Sequence, residues 1–365
     1  MENVYHVGLD VHKETVEMSV FRNWDQEPEF EKRMSNDHRK IISYVKKLQQ
    51  RGQVSVCYEA GCMGFTLKRA FDEAGIESRI ISPGKMPRKP GERIKTDRRD
   101  ARNLAKLLRS GEADAIYIPT AEDEAARDYL RARDDIKREL KRAKQQLLTF
   151  FLRHEFHYEI NRYWTGKHRQ WMKSLVFSQP MHQETFDLYY VRIVELEERL
   201  VLIDERIVAI AQSERFREKV HVLRCFKGID YLTALSFVCE VGDFRRFPNA
   251  SSFMAYLGLI PRETSSGEKR RLGGITKSGN SHLRCLIVES SWHYRYSSRP
   301  YRRLTLRRIG QKHEVIAYAD KAMRRLQKKF AKLIHKGKSS NCAVIAVSRE
   351  LAGFIWGVMN NKIAV

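Results

Sequence analysis

The stretch VYHVGLDVHKETVEMSVF, residues 4–21, decides the fold of the first part of the chain. Its first half is an apolar run that ends in Gly8, Leu9 and Asp10. Its second half, residues 15–21, alternates between apolar and polar residues, which is typical of a β-strand with one buried face. Residues 30–34 predict a third strand, so we expect the chain to begin with a three-strand meander.

Predicted helices and strands alternate after this meander. The pattern predicts a helix over residues 37–48, a strand over 54–59, a helix that ends before Gly75, a strand over 76–81 and a helix over 97–109. The first three strands have no room for crossover helices between them, so the order differs from that of a plain doubly wound fold. A meander extended by β-α units is the RuvC/RNase H-like pattern, in which the first and fourth strands are neighbours.

The rest of the chain predicts helices. Residues 121–156 contain neither Gly nor Pro, and residues 184–218 carry apolar side chains at helical spacing, so we expect a coiled-coil hairpin or a dimerisation arm. The segment FKGID, residues 226–230, has the outline of a helix-hairpin-helix, whose backbone amides can bind phosphate; an ordinary turn remains an equal alternative. The predicted class is α/β plus α, divided into residues 1–118, 119–220 and 221–365.

The charge of the chain indicates a polyanionic partner. Its 365 residues include 68 Lys and Arg against 45 Asp and Glu, a formal net charge of +23. Residues 85–109 hold ten basic and three acidic residues, and residues 269–338 hold twenty and three. Two such concentrated runs favour nucleic acid over solvated helix faces.

Other classes of protein fit the sequence less well. No run approaches the ~18 consecutive apolar residues of a membrane span, and no signal peptide is visible at the N-terminus. The six cysteines are scattered without a Cys-x-x-Cys pair, which predicts buried thiols in a reducing cytoplasm and no zinc site.

Four carboxylates can converge on the predicted sheet. Asp10 ends the first strand, Glu59 ends the fourth, and Asp97 and Asp100 share a face at the start of the following helix. Clustered carboxylates repel one another unless a cation neutralises them, and Mg²⁺ prefers oxygen ligands. Each acid alone could be a helix cap or an ion-pair partner; as a set on this topology they favour a metal site. His12 is interpreted as structural.

These residues lie in blocks that resemble a known family. The blocks are GLDVHK (8–13), YEAG (58–61), KTDRRDA (95–101), GDFRRF (242–247), YLGLIP (256–261), SG (266–267), GITKSGN (274–280) and the tail 349–356. They are similar to the signature blocks of the DEDD transposases of bacterial and archaeal insertion sequences, the IS110 family with its IS1111 group. The resemblance covers nearly the whole chain outside the middle helices.

The resemblance implies a composite active site. The family's recombinases use a serine of the C-terminal transposase domain to attack DNA, and Ser266 matches that position, with Ser265 beside it as an ambiguity. Asp10, Glu59, Asp97 and Asp100 would hold Mg²⁺, two ions per site, with Mn²⁺ as a substitute. The family also implies a bridge RNA that pairs with donor and target double-stranded DNA, a homodimer or homotetramer, and a place at the nucleoid of a prokaryotic cytoplasm, away from any membrane.

The basic runs then predict contacts with nucleic acid. The candidates are Arg98, Arg99, Arg102, Lys269, Arg270, Arg271, Lys277, Asn280 and Arg284. Trp292, Tyr294, Tyr296 and Tyr301 are interleaved with arginines, and they either stack on unpaired bases or belong to the core.

Three other functions fit parts of this sequence. A RuvC-like junction nuclease would use the same four acids with water as the nucleophile. A non-catalytic RNA-binding protein would not need the acids, all of which are present. A sugar-kinase or actin-like ATPase would need a second copy of the domain, which the sequence lacks.

Overall fold

The computed structural model describes residues 3–61, 63–82, 96–160, 162–264, 271–296 and 299–363. Contacts between residues divide the chain into two compact units, Met1–Ile118 and Pro119–Val365. The first unit is built on a sheet, and the second is largely helical.

The N-terminal unit contains a five-stranded mixed sheet. Its elements in chain order are β1 (Val4–Val11), β2 (Thr15–Arg22), β3 (Phe30–Ser35), α1 (His38–Gln49), β4 (Gln53–Glu59), α2 (Thr66–Glu73), β5 (Glu77–Ile81) and α3 (Asp97–Arg109). The strand order is β3-β2-β1-β4-β5. Strand β2 pairs antiparallel with both β1 and β3, whereas β4 pairs parallel with both β1 and β5. The predicted meander, the RNase H-like class and the adjacency of the first and fourth strands are therefore confirmed.

The two faces of this sheet are covered differently. Because side chains alternate along a strand, Tyr5, Val7 and Leu9 point to one face, where they form a core with residues of α1 and α2. Gly8 points to the other face, beneath α3. On the neighbouring strand, the Cys57 thiol donates to the carbonyl of Leu104 in α3 at 3.1 Å. This second face positions the first turn of α3 over the sheet.

Gly8 permits the close approach of α3. A Cβ at this position would lie 2.1 Å from the carbonyl oxygen of Ala101 and 2.5 Å from the amide nitrogen of Ala105, both backbone atoms.

We expect Gly8→Ala to lower the free energy of unfolding of the N-terminal unit by about 3 kcal/mol, because the helix must move off the sheet. Urea unfolding checks this. Gly61→Ala is the control, because a Cβ there meets none of the described residues within 4 Å; equal stabilities of the two variants would contradict the close-packing argument.

The C-terminal unit is mostly helical, as predicted. Its elements are α4 (Ala121–Arg153), α5 (Gly166–Lys173), α6 (Pro180–Ala211), α7 (Glu214–Arg224), α8 (Tyr231–Val241), α9 (Ala250–Tyr256), β6 (Pro261–Glu263), β7 (Leu272–Ile275), α10 (Ser281–Ser291), α11 (Arg302–Arg307), α12 (His313–His335) and α13 (Ser340–Met359). Two short 3-10 turns, Phe244–Arg246 and Trp292–Arg295, join them.

The prediction of one helix over residues 184–218 was wrong at both ends. The helix begins earlier, because Pro180 occupies the first turn, where a missing N–H costs nothing. It ends at Ala211, and a new helix starts at Glu214 after Ser213 takes an extended backbone at the N-cap position. The 33-residue α4 matches its prediction closely.

Helices α4 and α6 pair side by side in opposite directions. Arg133 of α4 binds Asp204 near the end of α6 at 2.6 Å, whereas Lys144, farther along α4, binds Glu197 at 2.6 Å. One end of the pair contributes Leu130 and Ile207 to the core formed by α7–α13. The other end has a separate core that includes Phe150 and Phe186.

One described helix, α13, is long and apolar enough to cross a membrane by length and composition. It contacts α9, α10 and α12, and Val347, Leu351 and Ile355 on it are fully buried, which is the behaviour of a core helix. Among the described cysteines, three are buried as predicted, whereas Cys285 and Cys342 are exposed and correct that prediction.

Candidate functional site

Asp10 and Glu59 lie at the same end of two neighbouring strands. The parallel register of β1 and β4 pairs Gly8 with Cys57 and Leu9 with Tyr58, so Asp10 and Glu59 follow directly. Both are two residues beyond a side chain that faces α3, and the period of two therefore points both toward that helix. The sequence places them here because each apolar strand ends at its carboxylate.

The first turn of α3 adds two more acids. Thr96 caps the helix by accepting from the Arg99 amide, and Asp97 and Asp100 follow in the first turn, where the helix dipole stabilises negative charge. Ligand atoms of Asp10, His12 and Asp97 all lie within 4.8 Å of one another. Glu59 and Asp100 lie outside that group, so the structure brings together two of the four predicted acids at metal-binding distance.

His12 is the residue that the sequence interpretation missed. Its Nε2 lies 3.2 Å from Asp10 Oδ2 and 3.6 Å from Asp97 Oδ1. The turn between β1 and β2 holds it, because the His12 amide donates to the Thr15 carbonyl and the His12 carbonyl accepts from Asn36 Nδ2. The available signal was its position two residues after Asp10, at the tip of a predicted hairpin.

A fifth carboxylate shares this face of the sheet. Glu17 on β2 is paired directly with Asp10, and directly opposed residues point to the same side. Its carboxylate lies 3.5 Å from Nε of Arg33 on β3, which supplies a partner. The site is therefore more acidic than the four predicted residues alone indicate.

Burial and repulsion shape the electrostatics of Asp10. Its side chain is only 14% exposed. Desolvation raises the pKa of Asp10, the nearby His12 opposes that shift, and the negative charges of Asp97 and Asp100 add to it. The surroundings therefore disfavour the ionised form of Asp10, and a bound cation would stabilise that form. The oxygen donors of Asp10 and Asp97 suit a hard divalent ion, so the residues present fit such a metal.

Arg98 and Arg102 are paired with an acid of the edge strand. They lie four apart on α3, and both bind Glu31 of β3, whose side chain is 5% exposed; the Arg102 Nη2–Glu31 Oε2 distance is 2.7 Å. The hydrogen bond from Arg102, together with that from Arg98, lowers the pKa of Glu31 to about 2. In this structure the two arginines fix α3 to the sheet, while Arg99 is exposed.

We expect Glu31→Gln to lower the free energy of unfolding by about 2 kcal/mol at pH 7, a value discounted for the exposure of Arg98. Because the folded pKa is depressed from 4.5 to about 2, this contribution is complete above pH 4.5 and is lost as the pH falls toward 2. Urea unfolding of both proteins at pH 7 and at pH 3 measures it. Glu27→Gln is the control, since Glu27 is exposed and 3.8 Å from Arg102. A gap between wild type and variant that is as large at pH 3 would contradict this interpretation.

Hydrogen bonds within the protein hold two residues of the second basic region, Asn280 and Arg284. Asn280 caps α10 by accepting from the Leu283 amide, and its Nδ2 donates to Oε2 of the buried Glu240 at 2.9 Å. Arg131 of α4 donates to the other oxygen of Glu240 at 2.9 Å. Arg284 donates to the carbonyl of Leu257 at 3.1 Å. Asn280 and Arg284 are thus engaged within the protein, and their contacts with nucleic acid stay a prediction.

The remaining predicted residues divide into three groups. Arg271 and Lys277 are exposed and flank β7. Tyr294 is 1% exposed and belongs to the core, so its stacking on a base is wrong, whereas Tyr296 and Tyr301 are exposed. Ser265, Ser266, Lys269 and Arg270 lie outside the described residues.

Two sequence families match this chain. Residues 7–156 match the DEDD transposase family of IS110, and residues 220–305 match the family described as Transposase IS116/IS110/IS902. The first match contains all four predicted acids, and the second contains Ser266. A DEDD domain implies a divalent metal, in agreement with the acidic cluster.

Similar proteins span nearly the full chain. The transposase for insertion sequence element IS1533 of Leptospira borgpetersenii is 38% identical over 93% of this chain and 99% of its own length. The putative transposase y4qE of Sinorhizobium fredii is 39% identical over 84% of this chain and 75% of its own length. The transposase for IS1111A of Coxiella burnetii is 24% identical over 99% and 91%. The sheet that ends in carboxylates, the two family matches and these relatives together show that this chain belongs to the IS110/IS1111 family of transposases, enzymes that act on DNA.

Proposed function

We propose that this transposase cuts and rejoins donor and target DNA with an acidic Mg²⁺ site and a serine nucleophile, guided by a bridge RNA. The observation that carries the proposal is the cluster of Asp10, His12 and Asp97 at the carboxyl end of β1. It lies on an RNase H-like sheet, beside Glu59 and Asp100, and burial together with the charges of Asp97 and Asp100 raises the pKa of Asp10.

The four acids would hold the metal, and the metal would supply charge neutralisation at a scissile phosphate and its departing oxygen. Ser266 Oγ attacks the phosphorus, a phosphorus–serine oxygen bond forms, and the bond to the 3′ oxygen breaks. The serine proton ends on that 3′ oxygen, which leaves a free 3′ hydroxyl and a 5′-phosphoserine link. Attack by a 3′ hydroxyl of the other DNA reverses these bond changes and completes the exchange.

The ends of the segment that carries Ser266 are fixed. Glu263 of β6 pairs with Leu272 of β7, and the Thr264 amide donates to the Arg271 carbonyl at 2.9 Å. The network of Glu240, Arg131 and Asn280 anchors the start of α10, which follows this ribbon.

The basic surface supports the nucleic-acid partners. Residues 269–338 carry twenty basic residues against three acidic ones, and this positive excess suits a guide RNA together with two DNA duplexes. We place the protein at the nucleoid of a bacterial cytoplasm for the same reason.

A homodimer or homotetramer is part of the proposal. Helix α6 exposes five large apolar side chains, Met181 at 71%, Leu188 at 74%, Val191 at 53%, Val201 at 57% and Leu202 at 66%, and all of them except Val201 share one side of the helix. An exposed apolar row on a long paired helix is typical of an interface with a second helix pair. The division into residues 1–118, 119–220 and 221–365 assigns the sheet to the metal site, the α4–α6 pair to assembly and the remainder to the serine.

The test is capture of the covalent link. The purified protein with its co-purifying RNA is incubated with DNA and Mg²⁺, denatured and digested, and the phosphoserine peptide is mapped by mass spectrometry. We expect a DNA-linked peptide at Ser266 and a structured RNA in the same preparation. DNA cleavage without any covalent link would favour the water-using junction nuclease, and a preparation that contains no specific RNA would contradict the guide.

A further inference from the structure

A cavity of about 560 Å³ lies between α13 and the β6–β7 ribbon. One wall is a face of α13 formed by Cys342, Ile345, Ala346 and Arg349 at the spacing of one helical side. The apolar floor includes Leu259 and Ile275, and the volume falls within roughly 300–1,000 Å³, the range of sites for small ligands.

Two adjacent glycines form the ribbon wall of this cavity. Neither Gly273 nor Gly274 has the left-handed backbone that requires glycine. Among the described residues, a Cβ at Gly274 would meet nothing within 4 Å, and one at Gly273 would make only ordinary contacts of 3.7 Å with Arg262. Neither backbone conformation nor packing against those residues explains the two glycines, and a glycine within a strand often marks the close approach of a ligand.

The charge of the cavity selects the kind of ligand. Arg262, Lys277 and Arg349 line it and are exposed, and the described residues that line it include no acid. An apolar slot bordered by three cations matches an aromatic base with its flanking phosphates. A base within a duplex cannot enter, because its faces are covered by stacking, so the complementary ligand is a nucleotide that has left the stack.

We propose that this cavity binds one unstacked nucleotide of the DNA strand next to the segment that carries Ser266. The inference rests on the proposed function, because strands β6 and β7 border both the cavity and that segment. The base packs between Ile345 and the glycine wall, and the phosphates contact Arg262, Lys277 and Arg349. Such a site would hold one nucleotide fixed while the neighbouring phosphodiester is cut.

Ala346→Trp fills the cavity from the α13 wall, and Asn341→Trp adds the same side chain at an exposed position of α13 outside it. We expect Ala346→Trp to weaken binding of a short dye-labelled single-stranded DNA about tenfold, measured by fluorescence anisotropy. Asn341→Trp should bind within about twofold of the wild type. Arg349→Gln should lower the slope of log affinity against log salt by about one.

The unmodified protein provides an independent readout. Cys342 lines the cavity, whereas the exposed Cys285 on α10 is not among the residues that line it. We expect saturating single-stranded DNA to slow alkylation of Cys342 while Cys285 reacts at an unchanged rate, measured by peptide mass spectrometry. This measurement tests the proposal even if Ala346→Trp folds poorly.

Equal DNA affinity of the two tryptophan variants, or equal alkylation of Cys342 with and without DNA, overturns the proposal. Tighter binding and stronger Cys342 protection by RNA of the same sequence also overturn the assignment to DNA. None of these results affects the covalent link at Ser266. Conversely, loss of the serine chemistry with Cys342 still protected would leave the cavity intact and defeat the proposed function.

Discussion

Replacing Ser266 with alanine is expected to lower recombination at least about 10³-fold and to abolish the covalent protein–DNA link, because removal of a catalytic nucleophile has effects of this scale. The paired ends of its segment do not depend on the serine side chain, since Glu263 and Leu272 pair through their backbones. Binding of DNA and thermal stability should therefore be unchanged. Denaturing gels with end-labelled DNA measure the link, and sequencing of products measures the exchange.

Ser265→Ala is the matched control for this variant, since it removes the same atom one residue earlier. We expect it to retain recombination within about tenfold, a loss compatible with misplacement of a neighbour but not with removal of the nucleophile. Reversed results would assign the nucleophile to Ser265. Undiminished strand cleavage in both variants would reject serine catalysis and leave a water-using nuclease.

Replacing Asp10 with asparagine is expected to lower DNA cleavage by more than about 100-fold at any Mg²⁺ concentration, because even residues that only contact metal ligands contribute 10–100-fold.

The structure also predicts how this variant changes the thermal stability of the protein. Because burial and the charges of Asp97 and Asp100 raise the pKa of Asp10, its ionisation costs stability that is lost as the pH rises from the ordinary pKa of 3.8 through the raised one, and that loss is complete above it. Without metal at pH 7, Asp10→Asn should melt at a temperature equal to or higher than that of the wild type.

Inactivity combined with undiminished stability separates a metal-site residue from a merely structural one. Asp25→Asn is the control, since Asp25 lies in the β2–β3 connection and pairs only with Arg22 among the ion pairs of the described residues. It should cleave normally. Normal cleavage by Asp10→Asn would show that the cluster has no role in holding a catalytic cation, and a large loss of its stability would contradict the predicted sign of the pKa effect.

The strand order and the placement of Asp10 and Glu59 followed from the sequence. Both properties are local, because period-two patterns define each strand and the lack of space between the first three strands forces a meander. The helix of Asp97 and Asp100 was equally visible from Thr96 and from the apolar spacing of Leu104, Leu107 and Leu108. Family motifs then supplied Ser266, which composition alone would assign to a solvated loop.

Other features depend on residues far apart in the chain. Arg98 looked free to bind phosphate, yet it pairs with Glu31, 67 residues away. Asn280 is held by Glu240, and Tyr294 is buried although charged neighbours surround it in sequence. His12 points at two acids only because the hairpin turn and the first turn of α3 meet above the sheet.

The sequence by itself thus determined the elements of the N-terminal unit, their order and which residues carry charge, since hydrophobic periodicity and caps act over a few residues. The tertiary structure alone decided which cations are already neutralised, which acids reach a common point and where a cavity opens beside the glycines of β7. Those properties are set by distances between elements, and Coulomb energy, desolvation and void volume all depend on such distances. No local pattern encodes them.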